Sequence, residues 1–192
     1  MNIFYLDPDP KTCAEMHCDK HVVKMILEYA QLLSTTHRVI DGDPVIELND
    51  KGRKVKRWRL ADKDLDRRLF AATHVNHPCA QWARQNDSNY RWLRELLWNL
   101  LIVYRDRYGK EHSVWERCLA ELKDPPKYIV KGVMSKPPQA MPNQYKVDGD
   151  PVQAYRNYYC FDKSRFAKWR DGNIPPWFTP LHNGGSIEHA IL

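Results

Sequence analysis

Residues 13 to 37, CAEMHCDKHVVKMILEYAQLLSTTH, constrain this chain more than any other stretch. At 3.6 residues per turn, His17, His21, Lys24, Glu28, Gln31 and Thr35 fall on one helical face. The remaining surface is mostly Val22, Val23, Met25, Ile26, Leu27, Tyr29, Ala30, Leu32 and Leu33. A helix apolar around so much of its circumference is buried. Two imidazoles, an ammonium and a carboxylate on such a helix must pair, bind something or line a cavity. The stripe is therefore read as one wall of an active site. The same spacing also suits a solvated face closed by a Lys24–Glu28 pair at i,i+4.

Length bounds the architecture. The 192 residues, 43% hydrophobic, suffice for one domain with a real core. Asp7-Pro-Asp-Pro ends an N-terminal apolar segment, MNIFYL, and Asp9 or Thr12 can cap the stripe helix. Asp41-Gly-Asp-Pro is a turn. The next segment predicts a β-hairpin inserted at about 44–60, with Asn49-Asp50-Lys51-Gly52 at its tip. Residues 61–71 read as a short helix. A long helix is expected from between Pro78 and Ser88 to Tyr108, closed by Gly109. Ser113-Val-Trp-Glu116 has capping-box spacing and opens another, stopped at Asp124-Pro125. A Pro-rich stretch follows to residue 150. Asp150-Pro151 then starts a final helix running to Trp169. The expectation is a mainly α, compact helical domain over 1–170 with a small hairpin insertion, and a C-terminal tail over 171–192.

Several function classes are disfavoured. No run of about 18 apolar residues is present, so no membrane span is expected. The N-terminus lacks secretory-signal character, and a cytoplasmic protein is expected. Five Cys without a C-x-x-C argue against a disulfide framework or zinc knuckle. No phosphate-cradling Gly-rich loop, nucleophile elbow or dinucleotide fingerprint occurs. A net charge of +6 and a pI near 9.0 suit an anionic partner.

Three constellations carry chemistry. Glu28, in the apolar middle of the stripe with Lys24 and His21 nearby, suits a general base or the stabiliser of a cationic transition state, with His17 and His21 beside it. His17 and His21 also have the i,i+4 spacing of shared metal ligands, which keeps a metal-dependent hydrolase open, although no cofactor is expected. In the second segment, His74, Asn76 and His77 offer donors and acceptors for a base edge or phosphate. In the third, Tyr155, Arg156, Tyr159 and Lys163 interleave aromatics with cations, as an unstacked base and its phosphates require. The hairpin arm adds Arg53, Lys54, Lys56, Arg57 and Arg59 as a surface for DNA phosphates. These last two groups also read as core aromatics and solvated charge.

The segment Cys18–Leu33, CDKHVVKMILEYAQLL, resembles the first helix of the phage pyrimidine-dimer DNA glycosylases of the endonuclease V type. Those small all-α enzymes carry a His on this helix and a catalytic Glu seven residues later, the spacing of His21 and Glu28. The resemblance implies that Glu28 stabilises the sugar cation and manages protons while the glycosidic bond breaks. It implies a viral-type enzyme acting on a pyrimidine base in DNA. Departures stand beside it. The family attacks with a Thr amine exposed after Met removal, whereas this chain begins Met1-Asn2. The family's Arg residues before and after the Glu are Leu27 and Gln31 here. CDKHVVKM and PPQAMP also resemble a group common in tailed-phage genomes, where thymine hypermodification occurs. That implies the alternative of an amino acid:DNA transferase, with a small amine or amino acid as cosubstrate. A non-catalytic nucleic-acid-binding module is the third alternative.

Overall fold

In the computed structural model, which describes residues 1–180, the first six residues run extended with no ladder partner. They are held inside by their side chains: Ile3, Phe4, Tyr5 and Leu6 are all buried. Asp9 then caps α1 (Pro10–Glu15), its carboxylate accepting from the Thr12 N–H at 2.8 Å.

The single stripe helix expected from residue 13 is two helices. α1 stops at Glu15, and α2 spans Asp19–Asp41 with Cys18 extended between them. Periodicity cannot reveal this break, because its cause is distant. The Arg107 guanidinium donates to the carbonyls of Glu15 (3.0 Å) and His17 (2.7 Å), and the Asp19 N–H donates to the Lys168 carbonyl. Carbonyls and an amide that would have continued the helix are thereby satisfied from outside it.

α2 leads directly into β1 (Asp43–Leu48) and β2 (Lys54–Arg59), an antiparallel hairpin pairing Asp43 with Arg59 and Leu48 with Lys54. The expected hairpin and its tip are where the turn residues place them. α3 covers Lys63–Arg68, with Asp62 capping it. The long helix is α5 (Asp87–Tyr108), which starts within the expected bounds; a short α4 (Pro78–Ala83) precedes it, and the Asn86 side chain caps α5. Gly109 closes α5 at φ 66°, a left-handed cap that other residues adopt at a cost of about 1–2 kcal/mol.

α6 is short, Val114–Cys118, and the capping box is not made. His112 Nδ1 accepts the Val114 N–H in place of Ser113. The Pro-rich stretch is irregular apart from a 3₁₀ turn at Asn143–Tyr145. α7 (Pro151–Tyr158) begins at Asp150-Pro151 as expected, but it passes into a π turn at Tyr159–Lys163 and goes no further. In the expected tail, Trp177 and Phe178 meet each other and the rings of Tyr159 and Trp169. The remainder of that tail, 181–192, lies outside the described residues.

The core forms where α2 packs on α5, and α1 packs on α5 as well. Val22, Ile26, Leu33, Leu93, Leu97 and Leu100 are fully buried there. Each such side chain stabilises the fold by roughly 1.5–3 kcal/mol. The result is a mainly helical domain with one small hairpin, and no described helix is long and apolar enough to cross a membrane.

Candidate active site

One edge of the α2 stripe opens into a cleft of about 340 Å³. Its lining comes from three places: Met1, Asn2 and Phe4 of the arm, Lys20, His21, Lys24, Met25 and Glu28 of α2, and Tyr158, Lys163 and Phe166 from the end of α7 onward. Glu28 is the carboxylate among these. Its Oε1 is 3.0 Å from Lys24 Nζ, and its Oε2 is 3.7 Å from the Met1 amine. Lys24 is exposed, whereas Met1 and Glu28 are largely covered. Glu28 is thus placed between the Lys24 and Met1 amines.

His21 forms the floor. It stacks on Phe4 at 4.2 Å between centroids and meets Phe166 edge-on at 5.5 Å. Its Nδ1 is 2.5 Å from the hydroxyl of the fully buried Tyr159, so Nε2 is the ring nitrogen left for the cleft. Burial first, then the neighbouring His17, Lys163, Lys24 and Lys20, push its pKa down to about 2. At neutral pH it is an uncharged imidazole. Lys163 lies over the Tyr158 ring at 4.2 Å, held by the Tyr158 hydroxyl and Asp162, and Lys20 lies over Phe166 at 4.6 Å. The cleft therefore combines aromatic walls, a ring of cations and one carboxylate.

His17, expected among the catalytic groups, is instead fully buried behind this floor. Its Nδ1–H donates to the Cys13 carbonyl (2.7 Å), which leaves Nε2 to accept the Tyr29 O–H (2.8 Å). Tyr29 in turn accepts the Phe4 N–H at 3.2 Å. Both ring nitrogens are engaged, so His17 cannot share a metal with His21. Among the described residues no group of three His, Cys, Asp or Glu side chains is placed to hold one. The contribution of His17 is to fix the arm, and hence Met1, against α2.

The second expected segment contributes no residue to the cleft lining; of its members, His77 is near enough for the Met1 amine and Glu28 to act on its pKa. Thr35 ties residue 73 to α2, donating to the Thr73 carbonyl (3.4 Å) and accepting its N–H (3.1 Å). His74 turns the chain at φ 48°. His77 caps α4, its Nδ1 accepting the Cys79 N–H at 3.2 Å. Burial, the Met1 amine and His74 lower the His77 pKa, while Glu28 raises it. The imidazole is therefore within electrostatic reach of both cleft groups. Asn76 and His74 are exposed beside it, and Gln31 is half-buried on the next turn of α2.

The third segment is corrected in most of its members. Tyr155 is fully buried, donating to the Pro138 carbonyl (2.9 Å) and accepting the Ala140 N–H (3.3 Å). Arg156 holds the Leu6 carbonyl (3.0 Å) and Asp7, under Trp177. Tyr159 supports His21 from within. Of the four expected contacts only Lys163 lines the cleft, joined by Tyr158 and Phe166. On the hairpin, Arg59 is neutralised by Glu47 (2.6 Å) and Asp66 (3.2 Å) and is not a free cation. Arg53, Lys54, Lys56 and Arg57 have no carboxylate within 4.0 Å among the described residues, and Lys56 lies over Trp58.

Phe4, Tyr158, Lys20 and the Met1 amine were missed from sequence. Lys20 had a signal, since it stands four residues before Lys24. Compared with protein-family models, with curated protein sequences and with solved structures, the chain matches none of them.

Proposed function

We propose that the protein is an enzyme of viral type that acts on a pyrimidine base in DNA by glycosylase-like excision. The observation that carries this reading is Glu28, held between two amines at the mouth of an aromatic-walled cleft. A cleft of this size, about 340 Å³, is at the small end of ligand sites and suits one extruded nucleotide better than a polymer. The flat faces of Phe4, Tyr158 and Phe166 would stack on its base, and Lys20, Lys24 and Lys163 would face its phosphates.

The chemistry follows from the pair. Glu28 takes a proton from the Met1 ammonium, and the free amine attacks C1′. The glycosidic C–N bond breaks, and the protonated Glu28 returns its proton to the departing base. The C1′–O4′ bond then opens as O4′ takes the proton left on nitrogen, giving an imine between Met1 and the sugar. In this sequence Glu28 is catalytic, His21 and Lys24 orient the sugar, and His77, near enough for Glu28 and the Met1 amine to act on it, would bring His74, Asn76 and Gln31 to flank the strand outside the cleft.

The test is incubation with duplex DNA carrying damaged, normal and hydroxymethylated pyrimidines, in the presence of borohydride, with mass spectrometry of bases, nucleosides and protein. A released base, and a reduced adduct on the Met1 peptide, are expected. Glu28→Gln should lower the rate by about 10²–10⁴ while leaving DNA affinity near that of the wild type. An adduct on the Lys24 peptide would move the nucleophile to that side chain. A mass gain on thymine with added amino acids would favour amine transfer over excision. DNA binding without either change would leave a binding module.

A further inference from the structure

Two inward-facing guanidinium groups of this fold close on carboxylates: Arg38 on Asp66, and Arg107 on Asp19 and Asp171. Arg84 does not. It is half-buried at the C-terminal end of α4, and among the described residues no carboxylate is within 4.0 Å of it. Nη1 donates to the Val75 carbonyl at 2.7 Å, which uses one of five N–H groups. Burial lowers its pKa with nothing acting the other way. An uncompensated, partly desolvated cation is costly unless something outside the chain pairs with it.

Arg84 faces a pocket of about 580 Å³ between α4 and the Pro-rich stretch. Lys136 stands in the same pocket, its Nζ donating to the Gly149 carbonyl at 2.8 Å and paired with no carboxylate among the described residues. Gln85 spends its Oε1 on the Ser135 hydroxyl (2.9 Å) and on Asn89, so its amide N–H groups are what it has left to offer. Gln81 adds another amide, and Trp82 and Pro138 supply apolar contact. Among the described residues no carboxylate lines the pocket. Two cations and amide donors without an acid form the donor set of a phosphoryl oxyanion site.

We infer that this pocket holds a backbone phosphate of the DNA strand whose nucleotide enters the cleft. The choice of DNA as the source rests on the proposed function. Placement supports it. Arg84 lies seven residues beyond His77 along α4, about 10 Å at the helical rise. That is about three nucleotides at the duplex rise per strand. The Arg84–Val75 bond fastens the pocket to the loop that carries His74, Asn76 and His77.

The experiment measures duplex affinity by fluorescence anisotropy across a salt series, with inorganic phosphate titrated calorimetrically alongside. Lys136→Gln, on an exposed side chain, and Arg84→Gln are each expected to lower the magnitude of the log–log salt slope by about 0.9, and together by about 1.8. Arg84→Lys should restore the slope, which loss of packing alone would not allow. Phosphate binding should weaken in the same variants. Wild-type slopes in both Gln variants, with wild-type protein binding DNA and releasing base, would overturn the pocket and leave the cleft reading intact. Weakened phosphate binding with unchanged DNA slopes would also overturn it, because a free phosphate and not a strand would be the occupant. No affinity of the wild type for DNA would overturn both readings together.

Discussion

Buried histidines give this chain an acid sensitivity that can be read residue by residue. Burial holds His17 and His37 at a pKa of about 4 and His21 at about 2, all below the ordinary value of about 6.5. The unfolded chain therefore binds more protons than the folded one once pH drops below about 6.5. Stability conferred by these neutral imidazoles is complete above that value and is lost as pH falls toward the folded pKa values. Each group contributes a slope of about 1.4 kcal/mol per pH unit inside its window. Asp66 and Asp171, whose pKa values are lowered by hydrogen bonds and arginines, act only below about pH 4. Thermal melts between pH 6.5 and 5 should fall steeply, and His37→Gln should make that fall shallower. A flat profile would mean that the imidazoles are charged in the folded state. At this scale the sequence was partly legible. The i, i+4, i+7 stripe identified His21, Lys24 and Glu28, because position on a helix fixes direction. It misread His17, because a break imposed from Arg107 lies between that residue and the others.

Arg38 decides how the hairpin and the loop after it sit on α2. It is buried and donates to the carbonyls of Trp58 (2.9 Å), Asp66 (2.6 Å), Leu69 (3.0 Å) and Phe70 (2.6 Å), as well as to the Asp66 carboxylate. One side chain thus satisfies the backbone of β2, α3 and the connection to α4. Arg38→Met should cost about 3–5 kcal/mol in urea unfolding, because it takes from Asp66 its buried cation, leaving only Arg59, and strands four carbonyls. Little loss would show that the segment docks through Leu60 and Leu69 instead. Element types were legible from turn residues: Asn49 to Gly52, Gly109 and Asp150-Pro151 all stand where a reader of the chain expects. Element lengths were not. Tyr155 and Tyr159, four residues apart, do share a face, but it is the buried one, and the π turn at Tyr159–Lys163 adds a residue to the helical period so that Lys163 joins Tyr158 at the cleft instead. Straight 3.6 periodicity had placed Tyr155, Tyr159 and Lys163 together.

Across the whole molecule, charge is distributed in two kinds. Some cations are consumed internally, as Arg38, Arg59 and Arg107 are. Others stand unpaired among the described residues on the hairpin, about 20 Å along α2 from Glu28. If the hairpin tracks DNA beside the cleft, the triple variant Arg53→Gln, Lys54→Gln, Arg57→Gln should lower the magnitude of the salt slope by about 2.7. Arg59→Gln should leave the slope near the wild-type value, since Glu47 and Asp66 already neutralise it. Equal effects from both would show that the change works through stability and not through phosphate contact. Net charge signalled an anionic partner but could not separate these two populations, which differ only in what the fold brings to meet them.

The cleft takes Met1 from one end of the described chain and Lys163 and Phe166 from near the other. During synthesis the ribosome would release the Glu28 helix long before the segment that completes its wall. A nascent chain therefore has the carboxylate and the amine but no closed pocket around them. Any premature stop before residue 158 yields a polypeptide without that wall, however well α2 and α5 have already packed.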